Sequence, residues 1–121
     1  MEDDRFNFED LKVYQKALDY MDFVYELTLT FPTVERYNLT SQFRRAALSI
    51  SLNISEGTGA SNKQNLHYLD IASRTVKECV VCTTASYRRK YINEHQQKDS
   101  RTRLIELKKM ISGLANYLKE N

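Results

Sequence analysis

From Leu39 the chain reads Leu39-Thr40-Ser41-Gln42-Phe43-Arg44-Arg45-Ala46-Ala47-Leu48-Ser49-Ile50-Ser51-Leu52-Asn53-Ile54-Ser55-Glu56-Gly57. Placed at about 100° per residue, Leu39, Phe43, Ala47, Ile50 and Ile54 gather on one side. Gln42, Arg45, Ser49, Asn53 and Glu56 form a polar stripe beside them. Leu48 and Leu52, one turn apart, fall on the far side. The segment is therefore an amphipathic helix with one apolar face for its own core and a second small apolar strip. Two readings of Leu48 and Leu52 stay open: contacts to a neighbouring subunit, or two scattered surface leucines. Thr40 is the expected N-cap, and a left-handed glycine in Gly57-Thr58-Gly59 is the expected stop.

Working outward, three more segments carry the same periodicity. Leu11, Tyr14, Leu18, Met21, Val24 or Tyr25, and Thr28 recur every three or four residues in the first. Leu66, Leu69, Ala72, Val76, Cys79 or Val80, Thr83 and Tyr87 do so in the third, and Leu104, Leu107, Ile111, Leu114 and Leu118 in the fourth. Pro32, the glycines at 57 and 59 and the polar run 92–100 separate the segments, with Asn93 or Asp99 capping the last. Nothing alternates with period two. The chain has 121 residues, with three Gly and one Pro, which is one domain and too few turn residues for a sandwich or barrel. Four apolar stripes on short connections bury one another as an all-α, antiparallel up-and-down four-helix bundle spanning residues 1–121, with residues 1–7 a flexible acidic tail.

Charge is unevenly divided. Residues 1–35 hold three basic and nine acidic side chains, and residues 36–121 hold fifteen basic and seven acidic. An acidic first helix beside a basic remainder favours association with another copy or with a polyanion. The longest unbroken apolar run, Cys79 to Cys82, is four residues. No membrane span is expected, the N-terminus does not read as a secretory signal, and a cytoplasmic location follows as an expectation.

The motifs mostly have plain explanations. Cys79-Val80-Val81-Cys82 lies deep inside the third helix, away from the N-terminus that a redox thiolate needs, and no second CxxC completes a zinc site. Gly57-Thr58-Gly59 follows a helix and lacks the Lys-Ser/Thr of a phosphate loop. No nucleophile or acid–base constellation is in view, so no enzyme activity, cofactor or metal is expected. Tyr87-Arg88-Arg89-Lys90-Tyr91 closes the third helix. Its cations either complement the helix dipole or contact phosphate between aromatic surfaces, and Arg101, Arg103, Lys108 and Lys109 extend the patch. Arg44 and Arg45 point in different directions. Arg45 shares the polar stripe with Ser49 and Glu56 and is expected to pair with Glu56 or Glu78 at the bundle edge or across a subunit contact, which leaves Arg44 for a phosphate. Asn53 is expected to cap or bridge a helix contact.

The second-helix stretch 39–50 with Asn53-Ile54-Ser55-Glu56-Gly57 resembles the signature of the four-helix-bundle proteins encoded in intervening sequences of bacterial 23S rRNA genes. Phe8-Glu9-Asp10-Leu11-Lys12-Val13-Tyr14-Gln15-Lys16-Ala17, Phe31-Pro32, Glu35-Arg36-Tyr37, Tyr68-Leu69-Asp70-Ile71-Ala72, Glu78 and Ser112-Gly113-Leu114 are similar to other parts of that family. Phe43, Ser51 and Arg74 depart from its usual residues. The resemblance implies an up-and-down bundle similar to the accessory variability protein of diversity-generating retroelements, a homopentameric ring with a basic surface that works with a reverse transcriptase and nucleic acid. The expectation for this chain is thus a non-enzymatic homo-oligomer, a pentamer, that binds RNA or DNA without sequence preference. Its expected contacts are Arg44, Lys63, Arg88, Arg89, Lys90, Arg101 and Arg103. Its expected interface or structural polar stripe is Arg45, Leu48, Ser49, Leu52, Asn53, Glu56 and Glu78. The alternative is a scaffold for a protein partner, without nucleic-acid binding.

Overall fold

A computed structural model describes residues 4–121. A 3-10 turn, Asn7–Asp10, leads into α1 (Lys12–Thr28). A second 3-10 turn, Thr33–Glu35, precedes α2 (Leu39–Gly57), followed by α3 (Asn62–Arg88) and α4 (Glu94–Lys119). No strand occurs among the described residues. Each helix packs on its two neighbours in a closed square, α1 on α2 and α4, α3 on α2 and α4, and the backbones of the diagonal pairs stay apart. This is the up-and-down four-helix bundle that short connections dictate. Of the segment expected to be a flexible tail, residues 1–3 lie outside the described residues. From residue 5 the chain has partners: Arg5 pairs with Asp10 at 2.8 Å, and the Phe6 amide donates to Glu9 Oε1 at 3.0 Å.

The core follows the expected stripes of α2, α3 and α4, except that Tyr87 at the end of α3 is exposed. Phe43, Ala47, Ile50 and Ile54 meet Leu69, Ala72, Val76 and Cys79, with Leu104, Leu107 and Ile111 closing the far side. In α1 the face is rotated. Val13, Ala17, Tyr20, Val24 and Leu27 are buried, whereas Leu11, Tyr14 and Met21 pack only at the edge and Tyr25 is exposed. Two apolar stripes run side by side on α1. The one containing Ala17 lets the helices approach closely, while the hydroxyls of Tyr14 and Tyr25 favour the boundary.

The ends also differ from the sequence reading in instructive ways. Thr40 is not a cap; it lies inside α2 and is buried. The cap position is Asn38, whose amide instead donates to Val34 O at 3.1 Å, because the 3-10 turn before it already holds the entry. The left-handed glycine is Gly59 (φ 89). Gly57 answers a different need: a Cβ there would come within 2.6 Å of Asn65 Oδ1 and 3.2 Å of Asn65 Cα, so a side chain would push α3 away. Ser61 caps α3 through Gln64 N at 3.2 Å, a signal the sequence reading did not use. Asn93 and Gln96 form a reciprocal capping box on α4, and Asp99 sits inside that helix. α3 ends in a Schellman turn, with Tyr91 N on Ser86 O and Lys90 N on Tyr87 O, both 2.9 Å. The left-handed residue of this turn is Lys90 (φ 65), where a glycine is usual.

Candidate nucleic-acid interface

Antiparallel packing sets the N-terminus of α2 beside the C-terminus of α3, and one hydrogen bond fastens the two connections of this pole. Tyr91 Oη donates to Glu35 Oε2 at 2.8 Å, and the Tyr91 ring rests on Phe31, centroids 5.2 Å apart. Arg36, Arg44, Arg45, Arg88, Arg89 and Lys90 all belong to this pole by their places at the ends of α2 and α3. Arg88, Arg89 and Lys90 are exposed. The Arg89 guanidinium lies 6.0 Å from the Tyr91 ring centre, and the Tyr91 side chain, with the Glu35 charge behind it, raises its already high pKa. None of these six cations forms an ion pair among the described residues. Three of them, Arg88, Arg89 and Lys90, also complement the C-terminal end of the α3 dipole.

The other expected contacts are distributed differently. Lys63 sits at the first turn of α3, about 38 Å along the helix from Arg88 at 1.5 Å per residue, so it is not part of this patch. Arg101 is exposed on α4. Arg103 is already committed: its Nε donates to Asp99 Oδ1 at 3.0 Å and its guanidinium covers the Phe23 ring at 4.7 Å.

Of the two adjacent arginines, Arg44 is the one with partners inside the bundle. Arg45 is exposed and forms no pair with Glu56 or Glu78 among the described residues. Three helical turns separate it from Glu56, beyond the one-turn reach of an ion pair. Arg44 is the one that braces the bundle. Its Nε donates to Thr28 Oγ1 at 2.8 Å and its guanidinium lies 4.7 Å from the Tyr25 ring centre, while Thr28 itself donates to Val24 O at 2.7 Å. Asn53 does not bridge helices; its amide folds back on α2, donating to Ser49 O at 2.8 Å and Ser49 Oγ at 3.1 Å. Leu48 and Leu52 are exposed, at 37% and 56%.

Two features were absent from the sequence reading. Arg36, in the α1–α2 connection, faces the same cleft as Arg44. Between α1, α3 and α4 runs a sealed polar chain. Tyr20 Oη meets Ser100 Oγ at 2.9 Å, Ser100 Oγ meets Thr83 Oγ1 at 2.8 Å, and Thr83 donates to Cys79 O at 2.8 Å. Thr83 spends its only hydrogen on Cys79 O, so Ser100 donates to Thr83 and Tyr20 donates to Ser100. Burial raises the pKa of Tyr20 and of the free thiols Cys79 and Cys82, with the neighbouring acidic groups adding to the effect. These groups stay neutral and serve packing, the reading expected of the CxxC pair.

The sequence model of the 23S rRNA-intervening sequence protein family matches residues 9–113. No curated protein matches the chain. Among solved structures, a protein of unknown function from the S23 ribosomal protein family of Bacteroides thetaiotaomicron VPI-5482 superposes with a TM-score of 0.75 at 20% identity, covering 85% of this chain and 97% of that one. At that identity the likeness concerns the fold. No helix among the described residues is long and apolar enough to cross a membrane.

Proposed function

The chain belongs to the 23S rRNA-intervening sequence protein family, and from that premise we propose that it is an oligomeric, non-catalytic accessory factor that holds RNA or DNA by its phosphates. The observation that carries this reading is the pole where Arg36, Arg44, Arg45, Arg88, Arg89 and Lys90 lie without carboxylate partners among the described residues. Unpaired cations release counterions from a polyanion on contact, and arginines stack on bases as well as grip phosphate. Tyr87, exposed beside Arg88, offers a stacking face. Repetition of such a pole around a ring multiplies weak contacts. The exposed pair Leu48 and Leu52, with the exposed Val81 on α3, supplies apolar surface for the pentameric contact. Buried free thiols suit a reducing cytoplasm.

The test is fluorescence anisotropy with a labelled single-stranded RNA or DNA of mixed sequence. Affinity should fall linearly in log–log form as salt rises. Replacing Arg88, Arg89 and Lys90 together by Gln should flatten that slope by about 2, at roughly 0.7 per cation for a single strand. Absence of binding at low salt refutes the reading. A second reading has its own observation. Val80, Val81, Thr84, Ala85, Arg88 and Arg89 line a shallow, mostly apolar groove of about 490 Å³ on the outer face of α3, which suits a protein partner. If the triple replacement abolishes the oligomer rather than nucleic-acid binding, the scaffold reading wins.

A further inference from the structure

Beside the exposed cations of that pole lies a recessed cleft of about 260 Å³ between the end of α1 and the start of α2. Its polar lining is Thr28, Thr33, Arg36, Thr40, Ser41 and Arg44. Three observations single it out. First, Arg44 is half-buried and pre-oriented. Its Nε is fixed on Thr28 and its plane on Tyr25, so the two terminal nitrogens keep their donors for something else. A guanidinium withdrawn from water ordinarily meets a carboxylate. Here Glu35, the nearest acid in sequence to the cleft, is taken up by Tyr91 Oη and by the Leu39 amide. Second, Arg36 enters the same cleft and has no ion-pair partner among the described residues. Third, Thr40 is more than nine-tenths buried, yet its hydroxyl has no hydrogen-bond partner among the described residues. Thr40 lines the cleft, and its hydroxyl is not sealed from solvent.

We infer that this cleft is a seat for a phosphate monoester, held by Arg36 and Arg44 with the Thr40 hydroxyl as a third donor. Charge selects the monoester. An internal phosphodiester carries one negative charge, whereas a monoester carries about 1.5 to 2 at neutral pH, which matches two unpaired guanidinia. Shape agrees, because a recess admits a chain end more readily than the middle of a strand. The volume exceeds a lone phosphate and leaves room for the attached sugar. Such a group comes either from the end of a nucleic acid strand or from a free mononucleotide. The strand-end form rests on the nucleic-acid reading above; the free-nucleotide form does not.

The experiment compares four probes on the full chain: a short RNA with a 5′-phosphate, the same RNA with a 5′-hydroxyl, a 5′-mononucleotide and inorganic phosphate. The variants are Arg36→Gln, which removes an exposed side chain with no partner, and Thr40→Val, which keeps the volume of a buried residue. Lys16→Met on the opposite seam is the control, and circular dichroism confirms folding. The 5′-phosphate should tighten RNA binding about tenfold, the worth of one charge-assisted contact set. Arg36→Gln and Thr40→Val should each erase that gain; Thr40→Val, which removes no cation of the pole, should leave the 5′-hydroxyl RNA bound as before, while Arg36→Gln weakens it only by the loss of one backbone contact. If neither RNA binds but the mononucleotide does so through Arg36, the nucleic-acid reading fails and the cleft stands as a nucleotide site. The inference is overturned if the two RNAs bind alike and neither small probe binds. It is equally overturned if the gain survives both variants.

Discussion

The α1–α4 seam and the α1–α2 corner are built from the same kinds of side chain and use them in opposite ways. Along the seam, cations meet anions. Lys16 Nζ lies 3.3 Å from Glu106 Oε1 and Arg103 pairs with Asp99. Beneath them the hydroxyls of Tyr20, Ser100 and Thr83 satisfy one another in a closed line. At the corner, Arg36 and Arg44 share a cleft with an unpartnered threonine hydroxyl and no carboxylate in ion-pair reach among the described residues. A fold that can pair its charges on one seam and leaves them unpaired on the next corner separates two uses of polarity. The seam spends polar groups on one another, and the corner leaves them free for the anion proposed to bind there.

The comparison breaks most visibly at high pH. The folded state keeps Cys79, Cys82 and Tyr20 protonated beyond their ordinary values of 9.0 for the thiols and 10.0 for the phenol. The unfolded chain releases those protons at the ordinary values. Stability from these groups is therefore complete below pH 9 and falls as pH rises above it. Cys79 and Tyr20 together should cost about 3 kcal/mol by pH 10.5, from roughly 1.4 kcal/mol per pH unit per group. Urea unfolding at pH 7 and pH 10.5 measures it, and Cys79→Ala should recover about 2 kcal/mol of the difference. An equal loss in that variant would show that the alkaline effect arises outside the sealed interior.

Next in size is the chain of hydroxyls. Ser100→Ala takes from the buried Tyr20 hydroxyl its acceptor at 2.9 Å and leaves Thr83 as the remaining neighbour. The expected cost is about 2 kcal/mol, that of an unsatisfied buried donor. Tyr20→Phe in the same chain removes that hydroxyl, so the double variant should be more stable than Ser100→Ala alone. Additive losses would show that Tyr20 and Ser100 act independently. A smaller effect of opposite sign is expected near the corner. Lys90→Gly relieves a left-handed residue and keeps both Schellman hydrogen bonds, which involve only backbone. It should stabilise the fold by about 1 kcal/mol while weakening nucleic-acid binding, and thermal melting beside anisotropy reads both.

How much of this was legible follows from the range of each interaction. The core stripes of α2 and α4 are unbroken, so periodicity alone located Phe43, Ile50, Leu104 and Ile111 in the core. α1 carries two adjacent stripes, and nothing local says that Ala17 rather than Leu18 faces inward. Arg44 and Arg45 differ by one step along α2, and their roles depend on Thr28 and Tyr25 on another helix. The line from Tyr20 to Ser100 joins residues eighty apart, and serine and threonine read as surface until a partner is placed. Arg36 stood only in the likeness of the first connection and had no role assigned, because a lone arginine in a connection has no periodic signal. The cleft exists only once α1 and α2 pack.

The smallest expected effect tests the seam itself. Lys16 and Glu106 are each about half exposed, at 52% and 51%, so water screens their attraction and two long side chains must be ordered to meet. Lys16→Met and Glu106→Gln should each change stability by no more than about 0.5 kcal/mol, and raising the salt concentration should shrink even that. The pairing then matters for what it prevents. With its cations matched, the seam offers a polyanion little net attraction, and Lys16→Met should leave nucleic-acid affinity unchanged. Glu106→Gln, which frees Lys16, should raise that affinity slightly at low salt and not at high salt. A large loss of stability in either variant would mean that the seam charges hold the bundle together, and the division between paired and waiting cations would have to be redrawn.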